Sequence, residues 1–497
     1  MRRNCRRLAA IQNWSAALAL ACVVLALAAA LAGCATNPVT GRREISLVSA
    51  GQEQQMGAEG YTATLAEYGS YDDPAVQAYV AGVGHSLARV SHLPSLTWHF
   101  TVIDDDAVNA FAMPGGYIYV TRGIMTHLNS EAQLAGVMGH EIGHVTHRHS
   151  AEQITRQQFA GLGLAVGSVL SPTLARYGQV AQQGLQLLFL SFSRQHETEA
   201  DELGVRYASA ASYDPRQIPS TYAMLKRVSA RAGSTLPPFL STHPDPGDRE
   251  VRTGELARAA SAGKTGMTVR RDEYVDRLEG MVVGQDPRQG YFEGAEFYQP
   301  TMRFAITMPA GWTYQNSRSA VIAVAPQQAA SMQLSVVSGD GLAPDAFVAR
   351  LQGNGKIAAA RGGMETVGGN PAWIGSLAVP GDNGQAQPIA AAFIRRSPTE
   401  LFEVLGNGGD PGDPNVRAVF AAARSFHPLT DPARFSPVPA RIHIVRVERA
   451  GTFASVIAGL GRQGADLEQL AIMNGRTVDD RIEPGERIKT VTPARLR

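Results

Sequence analysis

The period of apolar and polar positions changes twice along the chain. From about Trp14 to Ala32 the residues are apolar with no charge among them. From about Gln52 to Gly263 the pattern reads as mostly helical, with one strand-like patch at Ala110–Thr121. Inside that region Phe159–Leu170 is apolar but short and interrupted by Gly, which predicts a buried or lid helix and not a membrane span. After about Tyr274 the period becomes two. Met302, Phe304, Ile306 and Met308 alternate with Arg303, Ala305 and Thr307, a strand that stops at Pro309-Ala310-Gly311. Val321–Ala325, Met332–Val337, Ala390–Ile394 and Leu401–Leu405 are further strand candidates, and Pro344–Leu351 and Val416–Ala423 look helical. Asp431 to Ala440 is a Pro-containing linker. The tail reads strand (Ile442–Val447), helix (Thr452–Leu460), helix (Asp466–Met473), a turn at Asn474-Gly475, and strand (Arg487–Val491). A chain of 497 residues exceeds one ordinary core. The expected organisation is therefore multidomain: a polar tether over 34–51, a helical domain over 52–273, an α+β domain over 274–430, the linker over 431–440 and a small module over 441–497.

Charge excludes one class of partner. The 45 basic residues nearly cancel the 44 acidic ones, leaving +1, so there is no electrostatic footprint for nucleic acid. The N-terminus is more informative. Arg2, Arg3, Arg6 and Arg7 precede the apolar run, which closes on Leu31-Ala32-Gly33-Cys34. A basic start, an apolar stretch and small residues before a cut describe a secretory signal over 1–33. The tetrad resembles a bacterial lipoprotein box, which implies cleavage before Cys34 and diacylation of its thiol; the alternative is an uncleaved membrane anchor. The three cysteines agree with a signal, since Cys5 and Cys22 would leave with it and Cys34 would carry lipid, leaving no thiol for a disulfide. Ala35, not Asp, follows Cys34, which in Gram-negative lipoproteins implies the periplasmic face of the outer membrane.

The chemistry concentrates in His140-Glu141-Ile142-Gly143-His144. Histidines four apart on a helix project from one face and suit a tetrahedral zinc. Glu141 sits beside that face, where it can take a proton from a water that the metal acidifies. Leu134, Met138, Ile142 and Val145 supply the opposite, apolar face, and Ser130 is a candidate N-cap ahead of Glu131. A pattern of this kind needs a third ligand. In the metzincin arrangement the Gly position would fall on His147 and the distant His on Ser150, so that reading fails. His147 and His149 then read as surface residues at the helix end. The better source is Ser193-Arg194-Gln195-His196-Glu197-Thr198-Glu199-Ala200-Asp201. There Glu197 can bind zinc and Asp201, one turn on, can accept the free N–H of a ligand histidine. Glu199 points elsewhere, and Ala200 is small enough for a close helix approach.

His-Glu-Ile-Gly-His, followed some fifty residues later by Ser-Arg-x-x-Glu-x-Glu-Ala-Asp, resembles the HtpX/BepA/CAAX-prenyl-protease family of zinc endopeptidases. Asn109 to Val120, Ser241-Thr242-His243-Pro244 with Arg249, and the start Cys34 to Arg42 match as well. The resemblance covers about Asn37 to Arg252. It implies one Zn2+ held by His140, His144 and Glu197, with Glu141 as catalytic base. It implies His243 and Arg249 as active-site residues near the metal or the developing oxyanion, and a switch in which His243 either closes the site or steadies the oxyanion. The implied fold class is α+β and multidomain, with a mainly helical zincin-type (gluzincin) metalloprotease domain first. Ala110, Phe111, Ala112 and Met113 are expected on an edge strand that pairs with extended substrate, which suits quality control of unfolded or misassembled envelope proteins. Ile442–Val491 resembles a LysM module, through Leu467, Leu470, Asn474-Gly475 and Ile482-Glu483-Pro484-Gly485, and implies contact with peptidoglycan. The opposing reading of the chain is a non-catalytic envelope scaffold or chaperone, or a wall-binding lipoprotein, with a structural zinc.

Overall fold

Asn37 ties the start of the chain to the end of the zinc-motif helix. In the computed structural model, β1 (Cys34–Thr36) pairs antiparallel with β2 (Arg43–Ile45), with Cys34 directly opposite Ile45. The Asn37 Oδ1 accepts from Val39 N and Thr40 N to close the turn, and its Nδ2 donates to the His147 carbonyl at 3.3 Å. The segment expected as a polar tether is thus a docked hairpin. The structure describes residues 34–164, 192–232, 239, 243, 246–380, 386–407, 412–461 and 466–496. The signal expected over 1–33 and the second half of the apolar stretch from Phe159 to Leu170 lie outside what is described. Among the described residues no helix is long and apolar enough to cross a membrane.

Next come α1 (Ala50–Glu67), started by a reciprocal cap between Ser49 and Gln52, and α2 (Pro74–Ala88), capped by Asp73. Three strands follow: β3 (His99–Ile103), β4 (Ala110–Met113) and β5 (Tyr117–Thr121). Their order is β3-β5-β4, with β3 parallel and β4 antiparallel to β5, so β4 lies on the edge. The patch expected at Ala110–Thr121 is therefore a hairpin, turned at Gly115 and Gly116, whose φ values of 80° and 96° suit glycine. Among the described residues the helices after it are α3 (Arg122–His127), α4 (Glu131–His147), α5 (His149–Leu164), α6 (Arg194–Ala210), α7 (Ile218–Ala232), α8 (Pro246–Ser261) and α9 (Arg271–Arg277).

Helix α4 is buried on every side; of its residues only Val145 is partly exposed. Ser130 caps it by accepting from Gln133 N, as the sequence predicts. Burial all round is possible because α6 comes very close. A Cβ on Gly143 would stand 3.1 Å from Ala200 Cα, and one on Gly204 3.0 Å from His140 N. Small residues on both helices bring the two functional segments into backbone contact.

A second body follows. Seven strands, Thr313–Asn316, Ala320–Val324, Ser331–Ser338, Ala359–Val367, Asn370–Pro380, Ala386–Arg395 and Glu400–Asn407, form one antiparallel sheet. Helix α10 (Pro344–Gly353) packs Phe347 and Leu351 with Trp373 and Phe393 in one core, and α11 (Pro414–Ser425) places Val416 and Val419 with Ile374 and Val404 in another. The boundary expected at 274 shifts. Tyr274, Val275, Leu278 and Met281 belong to the first core, and the second core starts at Phe292 and Phe297. The linker expected over 431–440 is also held down: Arg434 stacks on Tyr298 at 3.8 Å and pairs with Glu293.

The tail has the order strand, helix, helix, strand: β6 (Arg441–Arg446), α12 (Phe453–Gly459), α13 (Leu467–Met473) and β7 (Arg487–Thr492), with β6 and β7 antiparallel; between them lie two short paired strands, Gly451–Thr452 and Arg481–Ile482. It does not stand apart. Ile442, Phe453, Leu470, Ile472 and Ile488 share the core of the helical domain. Lys489, fully buried, donates to the carbonyls of Thr126 and Leu128 at 2.9 and 2.7 Å.

Candidate metal centre

Helix α4 delivers His140 and His144 one turn apart, with their Nε2 atoms 3.0 Å from each other. Helix α6 brings Glu197 against them: its Oε1 lies 3.4 Å from His144 Nε2 and its Oε2 3.6 Å from His140 Nε2. His243 completes the group. Its Nδ1 is 2.9 Å from Glu197 Oε1 and 3.4 Å from His140 Nε2. A tetrahedron with metal–ligand bonds of about 2.0–2.1 Å has edges of roughly 3.3 Å. The observed separations bracket that edge, and the four residues are all buried. The donor chemistry, three imidazoles and a carboxylate, is the set zinc takes, so the residues fit Zn2+.

The protonation states agree with ligation. Burial, the largest effect, holds the His144 imidazole well below its usual range and hence neutral. Burial alone would raise the Glu197 carboxyl, but the charges of His243 and Arg249 outweigh it and keep it well below the ordinary carboxylate value. Behind His140, Asp201 Oδ1 lies 3.0 Å from Nδ1, which directs the Nε2 lone pair inward. Asp201 is itself gripped by the Tyr222 hydroxyl at 2.6 Å, by Arg252 at 2.6 Å and by two hydrogen bonds from Arg249. Burial acts to raise Asp201, and Arg249 and His140 overcome it, so it stays ionised.

Glu141 is fully buried, and neither of its carboxylate oxygens has a hydrogen-bond partner among the described residues. The nearest cationic group is His243, whose Nε2 is 3.8 Å from Oε1. Burial raises the Glu141 carboxyl above its usual value, against the pull of His243 and His140. An apolar recess lined by Val137, Ile218, Leu225 and Phe239 opens beside it. His243 donates its backbone N–H to Phe239 O, and the two rings stack at 4.6 Å. The rest of the expected loop, 241, 242 and 244, lies outside the described residues.

The structure brings His140, Glu141, His144, Glu197, Asp201, His243 and Arg249 together. Arg249, expected near the metal or the developing oxyanion, lies beside the donor set, with Nη2 3.3 Å from His140 Nδ1. It is buried there, where it pairs with Asp201, contacts Tyr222, and places Nη1 2.6 Å from Glu197 Oε2. It holds the two carboxylates of α6. The edge-strand residues Ala110, Phe111, Ala112 and Met113 lie on β4, which packs against α4.

His147 and His149 correct the reading of them as surface residues; both are buried. The hairpin of residues 34–45 and the start of α6 cover this end of α4. Arg148, with a left-handed φ of 61°, breaks the helix so that α5 turns His149 back toward His144. His149 Nδ1 lies 2.9 Å from His144 Nδ1 and its Nε2 3.1 Å from Glu199 Oε2. Tyr222 and Phe239 were also missed. Three histidines within reach of two acidic residues, His147, His149 and His196 beside Glu152 and Glu199, were the available signal.

Residues 74–252 match the model of peptidase family M48. The mitochondrial metalloendopeptidase OMA1 of Schizosaccharomyces pombe is 35% identical over 217 residues, 42% of this chain and 61% of that protein. OMA1 of Arabidopsis thaliana is 35% identical over 206 residues, covering 39% and 41%. The beta-barrel assembly-enhancing protease of Escherichia coli is 33% identical over 249 residues, covering 48% and 50%. The chain thus spans about 41% to 61% of the length of these relatives. The matched region holds every residue of the donor group and its supports, and residues 74–252 of this chain are a peptidase family M48 domain.

Proposed function

We propose that the chain is a zinc-dependent endopeptidase of the bacterial cell envelope that cleaves unfolded or misassembled proteins. The observation that carries the reading is Glu141: a carboxylate with no partner among the described residues, fully buried beside four donors spaced for one metal ion. Such a group has no use in a purely structural site. When bound, Zn2+ would polarise the scissile carbonyl and make water acidic enough to attack near neutral pH. Glu141 takes the proton of the attacking water and returns it to the leaving amine, and its raised pKa suits both halves of that transfer. Substrate in extended form adds to the edge of β4. Pairing through backbone groups selects exposed, unfolded chain. His243 is the latch: with Nδ1 among the donors it fills the position that water needs, and with its loop withdrawn the site opens.

The envelope location rests on Leu31-Ala32-Gly33-Cys34 as a lipoprotein box, with Cys34 carrying an outer-membrane lipid anchor on the periplasmic face. The Escherichia coli relative's name is in keeping with it. The order of β6, α12, α13 and β7 supports a LysM-like module with peptidoglycan contact. A second reading is favoured by His243 alone, since a four-ligand set also describes a structural zinc in a non-catalytic chaperone. Incubation of zinc-loaded protein with an unfolded substrate decides between them. Cleavage lost in Glu141→Gln with zinc retained is expected; no cleavage by wild type and by His243→Ala would sink the protease reading. Lipid mass on Cys34, absent from Cys34→Ser, tests the anchor.

A further inference from the structure

We propose that His149 and Glu199 form a relay that orients the ligand His144 from behind, so that each ligand histidine of α4 is backed by a carboxylate, His140 directly and His144 through a second imidazole. The proposal rests on His144 being a metal ligand, as read above. As a metal ligand His144 turns the lone pair of its Nε2 into the donor group, so its hydrogen is on Nδ1. That Nδ1 is 2.9 Å from His149 Nδ1, and of two imidazole nitrogens at this distance one donates and the other accepts. His149 Nδ1 is therefore the acceptor. The hydrogen of neutral His149 is then on Nε2, which points at Glu199 Oε2, 3.1 Å away. A single arrangement of protons satisfies the whole chain of contacts.

The far end is also fixed. Glu199 Oε1 accepts from Gln195 Nε2 at 3.0 Å, one turn earlier on α6. The His149 ring is held flat between two others, His196 at 4.3 Å and His147 at 5.0 Å, each tilted by 15°. The ring is fully buried, while Glu199 is partly exposed. Helix α6 thus supports the site twice: Glu197 and Asp201 face the donor group, and Glu199, between them in sequence, reaches round to the other histidine.

The same three residues, His147, His149 and Glu199, have donor atoms close enough to suggest a second metal ion. Two features favour the relay. The near-parallel rings of His147 and His149 send their lone pairs side by side and not toward one point, and His147 Nδ1 is 4.0 Å from Glu199 Oε2, with Asn37 Nδ2 3.4 Å from that nitrogen on the other side.

The test is zinc affinity and stoichiometry of the full chain, measured by competition with a chromophoric chelator. Wild type should bind one zinc per chain and His144→Ala none; zinc retained in His144→Ala would overturn the ligand reading and the relay together. With that established, Glu199→Ala and His149→Ala should each weaken zinc by about 10- to 100-fold while one site remains. His149→Asn keeps an acceptor where Nδ1 was and cuts the link to Glu199, so it should match Glu199→Ala. Adding Glu199→Ala to it should weaken zinc no further. Unchanged affinity in Glu199→Ala, or additive losses in the double variant, would overturn the relay. So would a second zinc per chain that disappears in His149→Ala, since His149 Nε2 would then be a ligand.

Discussion

Arg249 and Asp201 meet through two parallel hydrogen bonds, Nε to Oδ2 at 2.9 Å and Nη2 to Oδ1 at 2.7 Å, and both residues are only 2% exposed. The pair sets the distance between α8 and α6 and fixes the carboxylate that orients His140. Removing one member leaves the other charge buried. Arg249→Leu should therefore lower the unfolding free energy of the metal-free protein by about 3–5 kcal/mol. Lys offers a point charge in place of the planar fork and should recover only part of the loss. The double variant Arg249→Leu/Asp201→Leu should cost less than the sum of the singles in denaturant titrations, and strict additivity would refute the coupling.

One imidazole touches both working carboxylates of the site. His243 Nδ1 is 2.9 Å from Glu197, and its Nε2 is 3.8 Å from Glu141. Burial disfavours a charge on the ring, but Glu197 and Glu141 together raise its pKa above the usual histidine value. A ring lodged among the donors competes with water for a coordination position. His243→Ala should accordingly raise basal cleavage of an unfolded protein, at unchanged zinc content. A fall in kcat of about a hundredfold would instead assign the ring to oxyanion stabilisation. An unchanged rate would remove both roles.

The close approach of α4 and α6 sets a third expectation. A Cβ on Gly204 would stand 3.0 Å from His140 N, with the Gly136 carbonyl at 3.4 Å. Neither backbone group can turn aside as a side-chain tip could. Gly204→Val should push α6 outward and carry Glu197 off the donor group, weakening zinc by at least the tenfold typical of disturbed support. Gly254→Ala is the control, since the nearest atom to a Cβ there is 3.6 Å away and belongs to a flexible arginine. Equal zinc affinity in Gly204→Val and wild type would show that the interface yields.

The metal site was legible because its periodicity is local. His140 and His144, and Glu197 and Asp201, are each four apart, so a helix alone puts each pair on one face. The relation between the two helices was legible in part, through Ala200. What pattern could not show was the break at Arg148. A left-handed non-glycine residue has no strong local signal, and without it His147 and His149 read as one fraying helix end. Arg249 was placed in the site by resemblance, but its side of the donor set depends on the packing of α8. In the second body, Ala359–Val367 and Asn370–Pro380 escaped notice because Gly362 and Gly363 interrupt the alternation, and the first of these strands is largely exposed. The tail's order of elements was readable, whereas its docking was not. Ile442 and Phe453 show that they are buried, not that they are buried in the core of the helical domain.

That docking predicts a pH dependence at His127. The side chain sits at the end of α3, with Nδ1 2.8 Å from Gly123 O and Nε2 3.0 Å from Gln469 Nε2 of the tail. Neutral His127 fits both contacts, donating from Nδ1 and accepting at Nε2. Burial, aided by the nearby Lys489 ammonium and opposed by the Gly123 bond, lowers its pKa from 6.5 to about 4. In the unfolded chain the ring takes a proton below about 6.5, where the folded protein still refuses it. The unfolded state then binds more protons, so stability is fully present above that pH and is lost as the pH falls toward 4. At about 1.4 kcal/mol for each pH unit of the gap, the loss approaches 3 kcal/mol. His127→Asn keeps a donor toward Gly123 and cannot titrate. Unfolding free energies of wild type and variant should run parallel above pH 7 and converge between pH 6.5 and 4, by about 3 kcal/mol. Parallel curves down to pH 4 would mean that His127 is protonated in the folded protein, and that the contact with Gln469 is not what holds the tail in place.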